Sequence, residues 1–155
     1  MDAGKTEGII VTGPSDIRRV EAGILGYGCD IGLDVNPFEA GMERLLDLDS
    51  KREFIGKAAL LRIRELGPKR RIVGIEVFGE ALEQGVFTER WPVIVGDQVG
   101  EVLIALHSPR LEKNIGYAMV SIDHTALDSP LSIKSPIGVL EAKVARLPFV
   151  SPIKT

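Results

Sequence analysis

Residues 91–106, Trp-Pro-Val-Ile-Val-Gly-Asp-Gln-Val-Gly-Glu-Val-Leu-Ile-Ala-Leu, carry the clearest hairpin signal in the chain. Two runs rich in β-branched residues, 91–95 and 98–106, flank Gly96-Asp97, a dipeptide that suits a tight turn. Strands joined by so short a turn pair antiparallel. The stretch therefore predicts an antiparallel sheet.

Similar strand patterns occur on both sides of this hairpin. They predict further strands over 71–78, 114–122, 131–134 and 139–147. About six strands without an intervening helix indicate a small antiparallel barrel, closed or nearly closed, or a sandwich. We expect 79–90 to be the one long connection, and 147–152 to lie extended because it contains two prolines.

The part of the chain before residue 68 shows helical periodicity. Ile55, Ala59, Ile63 and Leu66 recur at helical spacing and Gly67-Pro68 follows, so we predict a helix over 54–66. Lys57, in its first turn, is interpreted as a solvated side chain.

Shorter elements are predicted before this helix. Asn36-Pro37 is a helix-start signal, and the turn that follows should end at Gly41. The alternating pattern of 44–49 indicates a strand. Residues 8–12 are too short to distinguish, and we take them as an extended piece.

Composition excludes several classes of function. At 155 residues, with 45% hydrophobic content, the chain can build a compact core. The net charge of −3 comes from interspersed signs, so no basic face suggests nucleic acid. One cysteine and two histidines are too few for a Cys/His metal cluster. No apolar run approaches the roughly 20 residues that span a bilayer, so we expect a soluble, cytoplasmic protein without a metal.

Residues 13–31 contain the most distinctive cluster of charge, aromatic ring and glycine. Ser15 or Asp16 can cap a short helix that Gly23 ends. Arg19 lies at the border of its apolar face, and the glycines after it suit a bent loop that presents Tyr27. From these residues alone, a capped surface helix followed by a loop is the simplest interpretation.

Arg19, Glu21, Gly23, Tyr27, Gly28 and Asp30 resemble the R-x-E-x-G-x-x-x-Y-G motif, followed by Asp, of the aminomethyltransferase (glycine-cleavage T-protein) family. The resemblance continues in order and spacing along most of the chain, through Asn36-Pro37-Phe38-Glu39, residues 54–60, Trp91-Pro92-Val93, residues 108–115 and Ala118-Met119-Val120. The Asn-Pro-Phe-Glu, Trp-Pro-Val and Ser-Pro-Arg-Leu segments make it look nearer to the dimethylsulfoniopropionate demethylase-like branch.

The resemblance implies an α+β fragment in which short helices precede the family's carboxyl-terminal antiparallel β-barrel. Residues 1–68 would be the remainder of the folate-binding core and 69–155 the barrel domain. It implies a tetrahydrofolate-dependent methyl or aminomethyl transferase that acts on a small-molecule one-carbon donor. Arg19 would clamp the carboxylates of the folate tail, with Glu21 and Tyr27 beside it. The family's catalytic aspartate lies in an earlier part of the fold, so no catalytic residue is assigned here.

Met1-Asp2-Ala3-Gly4-Lys5 resembles the interior of a helix that precedes the Arg19 motif in the family. We therefore expect Met1 to be an internal residue of a longer enzyme. Apolar side chains of 1–50 would then need other cover, and the fragment would self-associate or be disordered at its amino end. The side chains concerned are Ile9, Ile10, Val11, Ile17, Val20, Leu45 and Leu46.

Other functions stay open beside this one. The barrel could be a non-catalytic module for interaction or structural support, or the folate module of a flavin-linked dimethylglycine or sarcosine dehydrogenase. A folate-binding protein of tRNA modification is disfavoured, because its Lys-Gly-Cys-Tyr-type signature is absent at 54–57. No nucleophile–base pair is evident: Ser108 is interpreted as a turn serine, and His107 and His124 are expected in different strands.

Overall fold

The computed structural model describes residues 2–9, 13–83 and 89–150. Two α-helices lie in the first part, α1 (Asp16–Glu21) and α2 (Lys57–Leu66). Short 3-10 helices occupy Asp2–Glu7, Glu43–Leu45 and Ile122–His124. The strands are β1 (Arg70–Val77), β2 (Trp91–Val95), β3 (Asp97–Ser108), β4 (Lys113–Ser121), β5 (Pro130–Ser135) and β6 (Gly138–Ala145).

Within the described residues, these six strands close into an antiparallel barrel. The order around it is β1-β4-β3-β2-β5-β6, with β6 pairing back to β1. The hairpin predicted over 91–106 is β2–β3, and its turn is tighter than predicted: Asp97 already pairs with Val95, across Gly96 at φ 73°. Short helices followed by a closed antiparallel barrel confirm the predicted fold class.

Strand β4 separates two apolar cores. Its burial is nearly continuous because both of its faces are covered. Ala118 and Val120 face the barrel interior, where they join a cluster that includes Ile75 and Ile133. The alternate residues of β4 face outward and pack with Val20 of α1 in a second cluster. The outer cluster is what fixes α1 to the barrel.

A β-bulge in β3 adapts this strand to both cores. The register with β4 shifts between Val102 and Ile104, so that Leu103 has no direct partner. Val102 and Ala105 belong to the interior cluster, whereas Leu103 and Ile104 both pack in the outer one. Two consecutive outward residues are possible because a bulge interrupts the alternation of a strand.

The predicted turn after Asn36 is confirmed, and it is attached to β1. The Asn36 side-chain oxygen accepts the N–H groups of Phe38 and Glu39 at 3.0 and 3.1 Å, and the Glu39 carboxylate accepts the N–H of Asn36 at 3.0 Å. Gly41 ends the turn at φ 69°. Arg70 at the start of β1 donates to Glu39 at 3.0 Å, which ties the turn to the barrel.

Helix α2 begins at Lys57, three residues later than the predicted helix over 54–66. Gly56 adopts a left-handed conformation with φ 93°, so the chain turns just before the helix. Lys57 is not solvated, contrary to expectation: it is buried, and its Nζ donates to the carbonyl groups of Ser50 at 2.5 Å and Arg52 at 3.0 Å. A lysine can satisfy the carbonyls of a preceding loop in this way.

Several local predictions were wrong. The strand over 44–49 is absent, because Glu43–Leu45 form a 3-10 helix. His124 lies in a 3-10 helix and not in a strand. Residues 147–150 bend toward α1, where Val150 N–H donates to the Glu21 carbonyl at 3.1 Å. Residues 10–12, 84–88 and 151–152, parts of three predicted segments, lie outside the described residues.

Val20 and Ile17 are covered by other residues of this chain, although we expected them to need cover from elsewhere. Val20 is fully buried, and Ile17 packs beside it in the outer cluster. Cover comes from outward residues of β3 and β4, so α1 needs no second chain for this face. Ile9 and Leu45 remain exposed, at 67% and 71%.

Candidate functional site

Helix α1 presents Arg19 from a short, well-capped turn. Ser15 is the N-cap, and its hydroxyl accepts the N–H of Arg18 at 3.4 Å. Gly23 follows the helix at φ 70°, a conformation that favours glycine. Both ends of the helix match the sequence prediction. With these ends, Arg19 lies in the last turn of α1.

On its inner side, the guanidinium of Arg19 is held by a buried carboxylate. Its Nη1 contacts Oδ2 of Asp30, whose side chain is completely buried. The same Asp30 oxygen accepts the Gly26 N–H at 2.6 Å, and Nη1 also donates to the Ile24 carbonyl at 3.2 Å. The loop that follows α1 therefore folds back to hold the arginine.

On its outer side, Arg19 meets a second carboxylate. Oδ1 of Asp16 lies 3.0 Å from both Nε and Nη2. Burial by itself lowers the pKa of Arg19, but the carboxylates of Asp30 and Asp16 outweigh this and raise it above its ordinary value. Arg19 is thus a permanent cation between two acidic side chains.

Tyr117 of β4 fixes the carboxyl end of α1. Its ring is fully buried in the outer cluster, and its hydroxyl lies 3.1 Å from the Val20 carbonyl and 3.3 Å from those of Arg19 and Ile24. The Arg19 and Val20 carbonyls also accept the N–H groups of Ile24 and Gly23, at 3.0 Å each, so the single phenol O–H adds a further donor where the helix ends. The Ile24 carbonyl is shared with Arg19, which couples the barrel to the guanidinium.

Burial raises the pKa of the Tyr117 hydroxyl above its ordinary value, with Asp30 adding to the rise and Arg19 opposing it. A raised folded-state pKa means that its contribution to stability is complete below the unfolded-state pKa and is lost as pH rises above about 10. We expect the urea midpoint to fall between pH 7 and 11 by more in the wild type than in Tyr117→Phe. Equal losses in the two proteins would contradict this assignment, because every other titrating group is common to both.

Glu21 lies on the opposite side of α1 from Arg19's ligands. Its side chain is 5% exposed, and Oε1 accepts the hydroxyl of the fully buried Ser108 at 2.5 Å. Ser108 also accepts the Leu111 N–H at 3.2 Å, so its interpretation as a turn serine is confirmed. Neither Arg18 nor Arg19 pairs with Glu21 in the described part of the chain.

Tyr27 projects from the loop between Gly26 and Ile31. Its side chain is 70% exposed, while Gly28 beside it has φ 87°. The structure thus brings Arg19 and Asp30 together and places Tyr27 at the surface. Glu21 contacts the barrel through Ser108.

Sequence reasoning missed Asp16, Asp30 and Tyr117 as parts of this site. Asp16 precedes Arg19 by three residues, a helical spacing that could have signalled the ion pair. Asp30 belongs to the motif that carried the resemblance but received no role. Tyr117 had no sequence signal, because 98 residues separate it from Arg19.

A cleft of about 690 Å³ opens between the segment that follows α1, the 37–41 turn and the barrel. Its lining includes Ala22 and Gly23, which follow α1, Ala40 and Gly41 of the turn, and residues of β1 and β6, together with Arg44. Across the described ranges, no group of three or more His, Cys, Asp or Glu could hold a metal ion. None of the helices in those ranges has the length and apolarity needed to cross a membrane.

Comparisons with known proteins agree with the fold. The family model described as the glycine cleavage T-protein C-terminal barrel domain matches residues 70–151, a range that starts with β1. The aminomethyltransferase of Symbiobacterium thermophilum is 38% identical over 152 residues, which cover 96% of this chain and 40% of that protein. The aminomethyltransferase of Listeria innocua is 35% identical over 157 residues, with 96% and 42% covered. The chain therefore spans about two-fifths of the length of these relatives.

The fold has a solved counterpart. The crystal structure of glycine cleavage system aminomethyltransferase T from Bartonella henselae superposes with a TM-score of 0.76, at 23% identity over 87% of this chain and 37% of that one. The match of the barrel model to more than half of the chain decides the family. This chain belongs to the glycine cleavage T-protein family, and residues 70–151 are its carboxyl-terminal barrel domain.

Proposed function

We propose that this chain is the carboxyl-terminal part of a tetrahydrofolate-dependent one-carbon transferase. Membership of the glycine cleavage T-protein family supports the proposal, as do relatives that are aminomethyltransferases. The observation that carries it is the state of Arg19: a fully buried carboxylate anchors one side of its guanidinium, and the other edge reaches an exposed residue. A cation prepared in this way suits an anionic ligand.

Arg19 is proposed to bind the carboxylates of the folate glutamyl tail. A guanidinium edge made of Nε and Nη2 matches a carboxylate with two parallel hydrogen bonds. The residues present fit this group, since Nη1 is engaged inward and, among the described residues, the outer edge bonds to Asp16. Tetrahydrofolate, when bound, would accept the one-carbon unit, while this chain would hold its tail.

Glu21 and Tyr27 are proposed to serve the same ligand in different ways. Glu21, bonded to Ser108 at 2.5 Å, holds the helix that carries Arg19 against the barrel. The exposed ring of Tyr27 offers an aromatic face beside which the cofactor can pack.

A small-molecule amine or sulfonium is the proposed one-carbon donor. The family's catalytic aspartate lies in the part of the fold that precedes this segment. It would hold that donor. Asn36-Pro37-Phe38-Glu39 and Trp91-Pro92-Val93 favour the demethylase-like branch, and hence a methylated sulfonium. Assaying the complete gene product with aminomethyl and sulfonium donors would decide the branch.

The proposal is tested by replacing Arg19 with alanine in the complete gene product and titrating tetrahydrofolate by calorimetry. Loss of a charge-assisted bidentate contact should weaken binding by about 1.5–3 kcal/mol. Arg18→Ala is the matched control, because Arg18 is an exposed neighbour on the same helix and carries the same charge.

The control variant should bind tetrahydrofolate like the wild type. Unchanged affinity in Arg19→Ala would remove Arg19 from the site. Absence of any tetrahydrofolate binding or one-carbon transfer by the complete protein would overturn the proposed function itself, and would favour a non-catalytic role for the barrel.

A further inference from the structure

The donor groups of Arg19 are almost fully used. A guanidinium has five N–H groups. Nη1 serves Asp30 and the Ile24 carbonyl, and Nε and Nη2 serve Oδ1 of Asp16 at 3.0 Å each. Within the described part of the chain, a single N–H, on Nη2, is left over. No free edge is therefore available for a second bidentate partner.

The two carboxylates that hold Arg19 differ in burial. The Asp30 side chain is 0% exposed and also accepts the Gly26 N–H at 2.6 Å, so its removal would disrupt the loop. The Asp16 side chain is 70% exposed. Ion pairs with an exposed partner contribute about 0.2–1 kcal/mol, because water solvates the separated charges well. Asp16 can leave the guanidinium at small cost, whereas Asp30 cannot.

We propose that Asp16 is an internal competitor that occupies the carboxylate subsite of Arg19 and is displaced when a ligand carboxylate binds. This rests on the proposed function and deepens it, because it names the group that sets the affinity of that subsite. The Nε/Nη2 edge contacts the exposed Asp16, whereas Nη1 contacts the buried Asp30, so a single oxygen of Asp16 covers the edge that a ligand carboxylate would bind. With Asp16 in place, the cluster of Arg19, Asp16 and Asp30 carries a net charge of −1, which repels an anion.

Displacement of Asp16 makes the local charge around Arg19 less negative for an incoming ligand. When Asp16 turns into water, its charge becomes screened, while the inner pair with Asp30 stays intact. The ligand carboxylate then completes the same two hydrogen bonds that Asp16 made. A ligand carboxylate has an advantage here, because Asp16 serves Nε and Nη2 with the single oxygen Oδ1 at 3.0 Å, whereas a ligand carboxylate can offer one oxygen to each nitrogen.

The test measures the affinity of the complete gene product for p-aminobenzoyl-L-glutamate, which has the tail carboxylates but no pterin, at constant ionic strength. We expect Asp16→Asn and Asp16→Ala to bind it about 1.4- to five-fold more tightly than the wild type, the range that corresponds to an exposed ion pair. Asp128→Asn is the matched control: Asp128 is 65% exposed and pairs with Lys143 at 2.8 Å, away from α1. It should bind like the wild type.

An added Arg19→Ala change should abolish the gain in the Asp16 variants. Weaker or unchanged binding in both Asp16 variants would overturn the inference, and would make Asp16 a residue that orients Arg19.

Titrating the same variants with tetrahydrofolate separates this inference from the proposed function. If the tail analogue shows the expected order while tetrahydrofolate does not bind, the competitor role stands and the folate assignment fails. If tetrahydrofolate binding depends on Arg19 while Asp16→Asn gives no gain with either ligand, the folate assignment stands and the competitor role fails. Lack of Arg19-dependent binding of both ligands overturns both.

Discussion

Replacing Gly116 by alanine is expected to unfold the barrel at temperatures at which the wild type is stable. Gly116 lies in β4, where it pairs with Ala105 of β3 on one side and with Ile75 of β1 on the other. A Cβ atom there would lie 2.1 Å from the Ile104 carbonyl oxygen and 2.9 Å from the Ala105 Cα. Both neighbours are backbone atoms in a closed sheet, so no side-chain rotation can relieve the overlap. The cost should exceed the ~1–3 kcal/mol typical of overpacked cores.

Urea unfolding monitored by circular dichroism measures this effect. Gly13→Ala is the control, since no heavy atom lies within 4 Å of a Cβ built at Gly13 and its φ lies outside the left-handed region. The control should keep the wild-type midpoint. An unchanged midpoint in Gly116→Ala would show that β3 and β4 do not pair as closely as described.

Replacing Ser108 by alanine is expected to detach α1 from the barrel more than it destabilises the barrel. The change removes the hydroxyl that donates to the buried Glu21 carboxylate at 2.5 Å and accepts the Leu111 N–H at 3.2 Å. A lost hydrogen bond to a charged group costs about 1.5–3 kcal/mol, and the Leu111 N–H would also lose its acceptor. We therefore expect the contact between α1 and the barrel to lose about 2–5 kcal/mol of stability.

Amide hydrogen exchange resolves where this loss falls. Protection of 16–24 should drop in Ser108→Ala, while β5 and β6 keep theirs. Ser135→Ala is the matched control, because its hydroxyl donates to the Gly138 carbonyl at 2.7 Å in the β5–β6 turn, away from α1. The Glu21→Gln, Ser108→Ala double variant should be less destabilised than the sum of the single changes. Additive losses, or unchanged protection of 16–24, would contradict a direct Ser108–Glu21 coupling.

These contacts make the barrel a support for Arg19. Ser108 and Tyr117 hold opposite parts of α1, through the Glu21 carboxylate and the carbonyls that end the helix. Variants in the barrel should therefore alter ligand affinity at Arg19 without touching the ligand. The family's barrel thus contributes to the proposed site by positioning α1.

Much of the barrel was predictable because its signals are local. Alternation of apolar residues and the Gly96 turn located β2 and β3 to within a few residues, and the Ser15 cap and Gly23 located α1. Strand 44–49 failed for the opposite reason: its alternation was weak, and Arg71 pairs with Glu43 to hold a 3-10 turn there. Short patterns decide structure only where tertiary contacts agree with them.

By itself, the sequence determined most of the strand positions and the caps of α1, and its resemblance to the family motif led to Arg19 as the proposed ligand-binding residue. Tertiary structure alone decided what surrounds Arg19. The partners of α1 in the barrel lie 87 to 98 residues away, at Ser108 and Tyr117, and the bulge in β3 turns Leu103 and Ile104 together toward that helix. Local periodicity carries no information on such pairs, because closure of the barrel, and not the neighbouring residues, brings them within hydrogen-bonding distance.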